Sequence, residues 1–222
     1  MKTLVIGKEE DGYGMLFEDH GEVIHNCTPE AKHIQDVDLI CFIGGNDVCP
    51  SFYGHHTYKG TFCDEFDDLP CKFSFEMAKQ LAIPIVGICK GAQQLCAFNG
   101  GALYQDVTNH SERHSMIIDP NLKYEKPEID VTSSHHQMMD LTTITHEYLL
   151  LAWSQPRSDY YLTFPDDEVQ PLMWEINPLL KDPEVVYFPK YRNLAVQYHP
   201  EWMTKESDGY KFFQHLLEEY LR

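Results

Sequence analysis

Basic residues are scarce: 17 Lys and Arg stand against 35 Asp and Glu, a formal charge of −18. A surface of that sign repels phosphate backbones, so general nucleic-acid binding is excluded. No apolar run is long enough for a membrane span, and no apolar, basic leader opens the chain, so the expected location is cytoplasmic. No C-x-x-C occurs, and the seven cysteines are odd in number and unevenly spaced. That pattern reads as free thiols in a reducing compartment rather than as a disulfide framework. Repeats and low-complexity segments are also lacking, which excludes solenoids and linkers. The remaining class is a single globular domain spanning residues 1–222.

One stretch carries the strongest chemical signal. The apolar run from Ile83 to Ile88 reads as a buried parallel strand that stops at Cys89. Gln93 to Phe98 then reads as a helix ending at Asn99-Gly100-Gly101. Cys89 therefore sits at a strand-to-helix corner between Gly87 and Gly91, the arrangement of a nucleophile elbow with sulfur in place of oxygen. A helix N-terminus behind a thiol favours its thiolate, and the backbone N–H of Lys90 lies where an oxyanion would form. A buried, inert thiol is the bland alternative.

Other segments supply complementary groups. Short apolar runs at Thr3–Ile6, Glu22–Ile24 and Val37–Ile43 read as strands, and the last ends at Gly44-Gly45-Asn46-Asp47. Glycine there lets backbone approach a substrate, so Gly45 is a candidate second oxyanion donor, an ordinary tight turn being the alternative. Tyr13 to Phe17 reads as a helix opening, Phe62 to Pro70 as an acidic stretch and Phe73 to Ala82 as a helix. His110 and His114 lie about one turn apart if their segment is helical. Glu184–Phe188 and Leu194–Tyr198 read as late strands, a candidate hairpin across Pro189 to Asn193, and Tyr210–Leu221 as an amphipathic closing helix. His199 and Glu201 are two apart at a strand end and so face one side; His199 would act as base and Glu201 would fix its ring. The element order implies an α/β fold, an open and mostly parallel sheet flanked by helices, with its site at the carboxyl ends of the strands.

Gly87-Ile88-Cys89-Lys90-Gly91-Ala92-Gln93 resembles the nucleophile motif of class I glutamine amidotransferases, and Val196-Gln197-Tyr198-His199-Pro200-Glu201 resembles their closing motif. Gly44 to Val48 with Pro50 and Tyr53-Gly54, Gly100 to Asp106, and Val131 to Gln137 are similar to segments of the γ-glutamyl hydrolase branch, of the peptidase C26 type. The resemblance implies a flavodoxin-like fold, a triad of Cys89, His199 and Glu201, and oxyanion donors at Gly45 and Lys90. It places Gln93, Ser134 and His135 around a glutamyl group. It implies attack on a γ-glutamyl carbonyl, a glutamyl thioester, release of glutamate, and no metal or organic cofactor. The substrate would be glutamine or another small γ-glutamyl compound. A glutaminase subunit feeding a separate synthetase is the alternative role, an inactive binding protein the non-enzyme one, and a homodimer an open assembly.

Two departures stand out. Lys90 replaces the usual Arg or Leu after the cysteine; its ammonium could support the thiolate, meet a substrate carboxylate, or simply be solvated. A long connection, roughly Gln155 to Pro183, separates two late strands and holds Tyr160, Tyr161 and Trp174. Long loops in compact domains are commonly functional, so a lid or docking element is expected, a surface excursion being the alternative. His55-His56, His110, His114, His135-His136 and Cys63 are ligand types without tight metal-binding spacing, so no metal site is expected.

Overall fold

The computed structural model describes residues 1–221. The first half of the chain forms β1 (Lys2–Ile6), β2 (Glu22–His25), a single helical turn α1 (Ala31–Ile34), β3 (Leu39–Phe42), α2 (Glu65–Leu81), β4 (Ile85–Ile88) and α3 (Lys90–Phe98). Five strands follow: β5 (Ala102–Tyr104), β6 (Asp106–Val107), β7 (His114–Ile118), β8 (Glu128–Val131) and β9 (Met138–Asp140). The rest comprises β10 (Leu149–Ser154), β11 (Tyr161–Thr163), β12 (Leu172–Trp174), β13 (Asp182–Phe188), β14 (Asn193–Val196) and α4 (Asp208–Tyr220).

Nine strands build one sheet in the order β2-β1-β3-β4-β14-β13-β10-β7-β8. The first five are parallel neighbours, and antiparallel strands extend the sheet beyond β14. Every residue of β3, β4 and β14 is buried, because helices cover both faces. On one face Phe212, Phe213, Leu216 and Leu217 of α4 pack with Val86, Ile88 and Val196. On the other, Phe75 of α2 and Leu95 of α3 pack with Phe42 and Ile85. The open α/β sheet expected from the element order is present.

The corner between β4 and α3 is tight for a definable reason. Cys89 holds a positive φ of 52° with ψ −106°, a conformation that costs a non-glycine residue of order 1–3 kcal/mol. Its N–H donates to the Val196 carbonyl at 2.8 Å, and its carbonyl accepts from Gln93 N–H at 3.1 Å. A Cβ on Gly87 would run into the Gly91 carbonyl, and one on Gly91 into the backbone of Phe42. Both glycines are thus required by close backbone approach, not by their own dihedrals.

Several segments differ from expectation. The helix read as Phe73–Ala82 begins at Glu65, capped by the Asp64 side chain on Phe66 N–H, and runs through Pro70. Glu65, Asp67 and Asp68 complement the positive helix start, so the acidic stretch supplies the cap and first turn of α2. Tyr13–Leu16 is only a 3-10 turn. His110 and His114 share no helix: His110 lies in a loop and His114 opens β7. The connection at 155–183 carries its own structure, with β11 pairing to β12 and to β6. The all-thiol reading is corrected: Cys49 and Cys63 form a disulfide, with Cα atoms 5.3 Å apart. The loop doubles back there because Phe62 N–H donates to the Asp47 carboxylate at 2.7 Å. Five cysteines stay free, of which Cys27 is exposed. Among the described residues, no helix is long and apolar enough to cross a membrane.

Replacing Gly91 with Ala forces a methyl against the Phe42 backbone and is expected to destabilise by about 1–3 kcal/mol, read as a lower urea midpoint with an unchanged slope.

Candidate active site

The carboxyl ends of three adjacent parallel strands converge. β4 delivers Cys89, β14 delivers His199 three residues past its end, and β3 delivers Gly44 and Gly45. His199 is clamped by its backbone: its N–H donates to the Thr132 carbonyl at 2.9 Å, and Thr132 Oγ1 donates back to the His199 carbonyl at 2.9 Å. Pro200 starts a 3-10 turn, Pro200–Trp202, so the histidine–glutamate pairing arises through a turn and not through strand alternation. Within that turn His199 Nδ1 lies 2.6 Å from Glu201 Oε1, and both side chains are buried. The bond fixes the proton on Nδ1 and leaves Nε2 buried without a bonded partner, beside Cys89.

Burial disfavours the imidazolium, but the adjacent Cys89 sulfur and the Glu201 carboxylate outweigh it and raise the His199 pKa to about 10. The other side of the ring is covered by Trp202, stacked at 3.7 Å with planes only 5° apart. Cys89 itself is 5% exposed, with its sulfur 3.8 Å from the Ser134 carbonyl. Cys89, His199 and Glu201 thus stand in one cluster, a thiol, an imidazole and a carboxylate, which are the groups a cysteine nucleophile, its base and an orienter require.

The glycine loop lies against the same atoms. A Cβ on Gly44 would come 3.4 Å from His199 Cε1 and 3.6 Å from Cys89 Cβ, and would collide with the Tyr13 hydroxyl. Gly45 borders the cavity that exposes Cys89 and sits over the Lys90 stem. Lys90 is the largest revision at the site. Its ammonium is neither solvated nor turned to substrate but pairs at 3.0 Å with Asp68, and both side chains are buried. Asp68 also accepts from Cys49 N–H at 3.0 Å and from Gln94 Nε2 at 2.8 Å. Lys90 thereby ties α3 to α2 beneath the elbow while its N–H remains in the first turn.

Gln93, Ser134 and His135 come together as expected, lining with Cys89 and Gly45 a cavity of about 60 Å³. Gln93 Nε2 donates to the Gln137 carbonyl at 2.7 Å. His135 Nδ1 donates to that carbonyl at 2.8 Å, which leaves Nε2 buried and unpartnered. Burial first, and then the neighbouring His110, hold the His135 pKa well below its ordinary value, so the ring is neutral. At the rim, His136 pairs with Asp47 at 2.8 Å and with Asp106 at 3.6 Å. The Tyr160 hydroxyl, from the long connection, donates to Asp106 at 2.8 Å. The 155–183 segment therefore reaches the rim of the cavity.

Sequence reasoning missed Tyr13, Asp68 and Trp202. Tyr13 and Asp68 lie far along the chain from the residues they serve, whereas an aromatic just after the His-Pro-Glu turn was a signal in plain view. Two of the histidines weighed as metal ligands meet buried acids. His110 Nε2 meets Asp182 at 3.1 Å and His114 Nε2 meets Glu184 at 2.6 Å, all four buried. Among the described residues no group of three or more His, Cys, Asp or Glu is placed to hold a metal ion.

The family model described as Peptidase C26 matches residues 24–155. That span includes Cys89 and ends where the long connection starts; His199 and Glu201 lie beyond it. The chain is 37% identical over 89 residues to a glutamine amidotransferase-like YvdE homologue of Lactococcus lactis subsp. cremoris, covering 38% of this chain and 45% of that protein. It is 33% identical over 115 residues to the glutamine amidotransferase-like protein YvdE of Lactococcus lactis subsp. lactis, covering 47% of each. The matched region thus spans about half the length of these curated relatives. A glutamine amidotransferase structure from Thermotoga maritima superposes with a TM-score of 0.55 at 14% identity, covering 99% of this chain and 84% of the other, a likeness of fold.

Two outcomes follow from the site's charges. Glu201→Gln removes the anion beside His199, so its titration by ring NMR is expected to move down from about 10 by one unit or more. The folded pKa lies above the unfolded value of about 6.5, so the imidazolium's stabilisation is full below that pH and is lost as pH rises through about 10; the variant should flatten this slope. Lys90→Met leaves the buried Asp68 carboxylate without its cation and should destabilise by about 3–5 kcal/mol in chemical denaturation.

Proposed function

The chain belongs to the peptidase C26 family, and from that premise we propose that it hydrolyses γ-glutamyl amide bonds through a covalent thioester on Cys89. The observation that carries this reading is the buried His199–Glu201 bond, which leaves His199 Nε2 beside the Cys89 sulfur on its strained corner. The raised His199 pKa favours the imidazolium, the partner that a thiolate nucleophile requires.

In the first step the Cys89 sulfur attacks the γ-carbonyl carbon, and the carbonyl oxygen takes up negative charge. The backbone N–H groups of Gly45 and Lys90 receive that oxyanion. As the tetrahedral centre collapses, the C–N bond breaks and His199 passes its proton to the departing nitrogen, so the amine or ammonia leaves neutral. In the second step a water gives a proton to His199 and attacks the thioester. The C–S bond breaks, glutamate departs, and thiolate and imidazolium are restored. Glu201 keeps the ring oriented and stabilises its charged form throughout. The scheme consumes only the amide and water. Gln93, Ser134 and His135 hold the glutamyl portion in the small cavity beside Cys89.

Purified protein given glutamine and γ-glutamyl amides is expected to release glutamate, and Cys89→Ala to lower that rate by about a thousandfold or more while melting like the parent. Acid-quenched wild-type protein should carry a glutamyl adduct on Cys89 by peptide mass spectrometry. Undiminished turnover by Cys89→Ala would contradict the mechanism.

A further inference from the structure

One buried carboxylate connects the two segments that supply Gly45 and Lys90. Asp68, in the first turn of α2, has no exposed surface, and both of its oxygens are engaged. Oδ1 receives the Lys90 ammonium at 3.0 Å and Gln94 Nε2 at 2.8 Å. Oδ2 receives the Cys49 backbone N–H at 3.0 Å. Lys90 and Gln94 belong to the elbow helix α3. Cys49 closes the loop that leaves β3 through Gly44-Gly45.

The two segments also touch directly. A Cβ on Gly45 would stand 3.4 Å from Lys90 Cδ and, chain neighbours apart, within 4 Å of no other atom of the described residues. The Lys90 stem is therefore the support beneath Gly45. A lysine stem is flexible and keeps one extended form only where its end is held. Asp68 holds that end out of water, the Lys90 side chain being 8% exposed and that of Asp68 0%. The far end of the same loop is anchored beside it. Val48 N–H donates to Gln137 Oε1 at 2.9 Å, and the Cys49–Cys63 disulfide ties the loop to the residue before the cap of α2.

We propose that Asp68 is a positioning residue for the oxyanion site, setting the spacing between the N–H groups of Lys90 and Gly45. It acts through two other residues, by holding the Lys90 stem under Gly45 and by holding Cys49 N–H at the end of the glycine loop. This role rests on the γ-glutamyl hydrolase reading above, in which those two N–H groups receive the oxyanion. It gives the buried pair a part in the reaction in addition to its part in stability.

The consequence for kinetics is specific. Full negative charge stands on the oxygen only at the tetrahedral centre, so a misplaced donor slows the reaction more than it weakens substrate binding. A donor displaced by about 1 Å can slow a reaction about a hundredfold. None of the Asp68 bonds goes to Gln93, Ser134 or His135, the residues assigned to the glutamyl group. Loss of Asp68 should therefore appear in kcat and spare KM.

The test follows glutamate release from glutamine and γ-glutamyl amides, using protein that elutes as a single folded species in gel filtration. Asp68→Asn is expected to lower kcat about ten- to hundredfold and to keep KM within about twofold. Asp68→Asn combined with Lys90→Met removes both charges and keeps an acceptor for Cys49 N–H. That double variant should melt closer to wild type than Lys90→Met alone, yet stay as slow as Asp68→Asn. Lys90→Arg still pairs with Asp68 and should keep kcat within about threefold. Alkylation of Cys89 by iodoacetamide is displacement at a saturated carbon and forms no oxyanion, so its rate should match wild type in every variant. A double variant that regains both stability and wild-type kcat shows that the pair acts through stability alone and overturns the proposal. A loss carried by KM, or a fall in Cys89 alkylation that parallels kcat, overturns it too. If neither Asp68 variant folds, Lys90→Met and Lys90→Arg decide, and equal kcat in those two overturns it. Each of these outcomes leaves the hydrolase reading standing. If wild-type protein releases no glutamate from any of the substrates, the hydrolase reading falls and this role with it.

Discussion

Backbone against backbone contact at the turn from β4 into α3 is the constraint on which the site depends. Gly87 faces the Gly91 carbonyl and Gly91 faces the Phe42 backbone, with no room for a methyl at either place. That closeness pins the start of α3 on the sheet and holds Cys89 at φ 52°. Bonds on each side of the turn, from Cys89 N–H to Val196 and from Gln93 N–H to Cys89, hold the strained residue in place. The same bond to Val196 sets the height of β14 relative to β4, and β14 in turn carries His199. One crowded corner therefore fixes both the nucleophile and the strand that supplies its base.

Around that corner most buried basic side chains are paired with acids. Three buried or nearly buried histidines each meet one acid, His199 with Glu201, His110 with Asp182 and His114 with Glu184, while Lys90 meets Asp68. His135 is held neutral, chiefly by its burial. Pairs of this kind add less to stability than their Coulomb energy suggests, because both partners lose water. Their effect here is orientation. The elbow helix is tied to α2, and the loop carrying Ser134 and His135 lies against His110. In a chain with 35 acidic residues and 17 basic ones, most of the carboxylates left over face solvent.

How much of this was written in the sequence depends on how local the cause is. The elbow was legible because strand, cysteine, glycines and helix are contiguous. The late hairpin and the closing helix were legible from periodicity. The start of α2 was not, since Pro70 and a run of acids look like a loop until Asp64 is seen as its cap. His110 and His114 were misplaced because their partners lie 72 and 70 residues away and no helix joins them. Lys90 gave no sign of Asp68, and Cys49 no sign of Cys63, because spacing along a chain does not specify which loops fold back. The 155–183 segment was recognised as an insertion, but its pairing with β6 and the reach of Tyr160 to Asp106 depend on two-residue and three-residue strands too short to read.

The central claim is that geometry, not exposure, makes Cys89 the reactive thiol. Substoichiometric iodoacetamide followed by peptide mapping tests it directly. Accessibility alone puts Cys27 first, since it is exposed whereas Cys89 is 5% exposed. The account predicts that label accumulates on Cys89 ahead of Cys27 and every other free thiol, and that Glu201→Gln abolishes this lead. Labelling of Cys27 before Cys89 in the wild-type protein would contradict it.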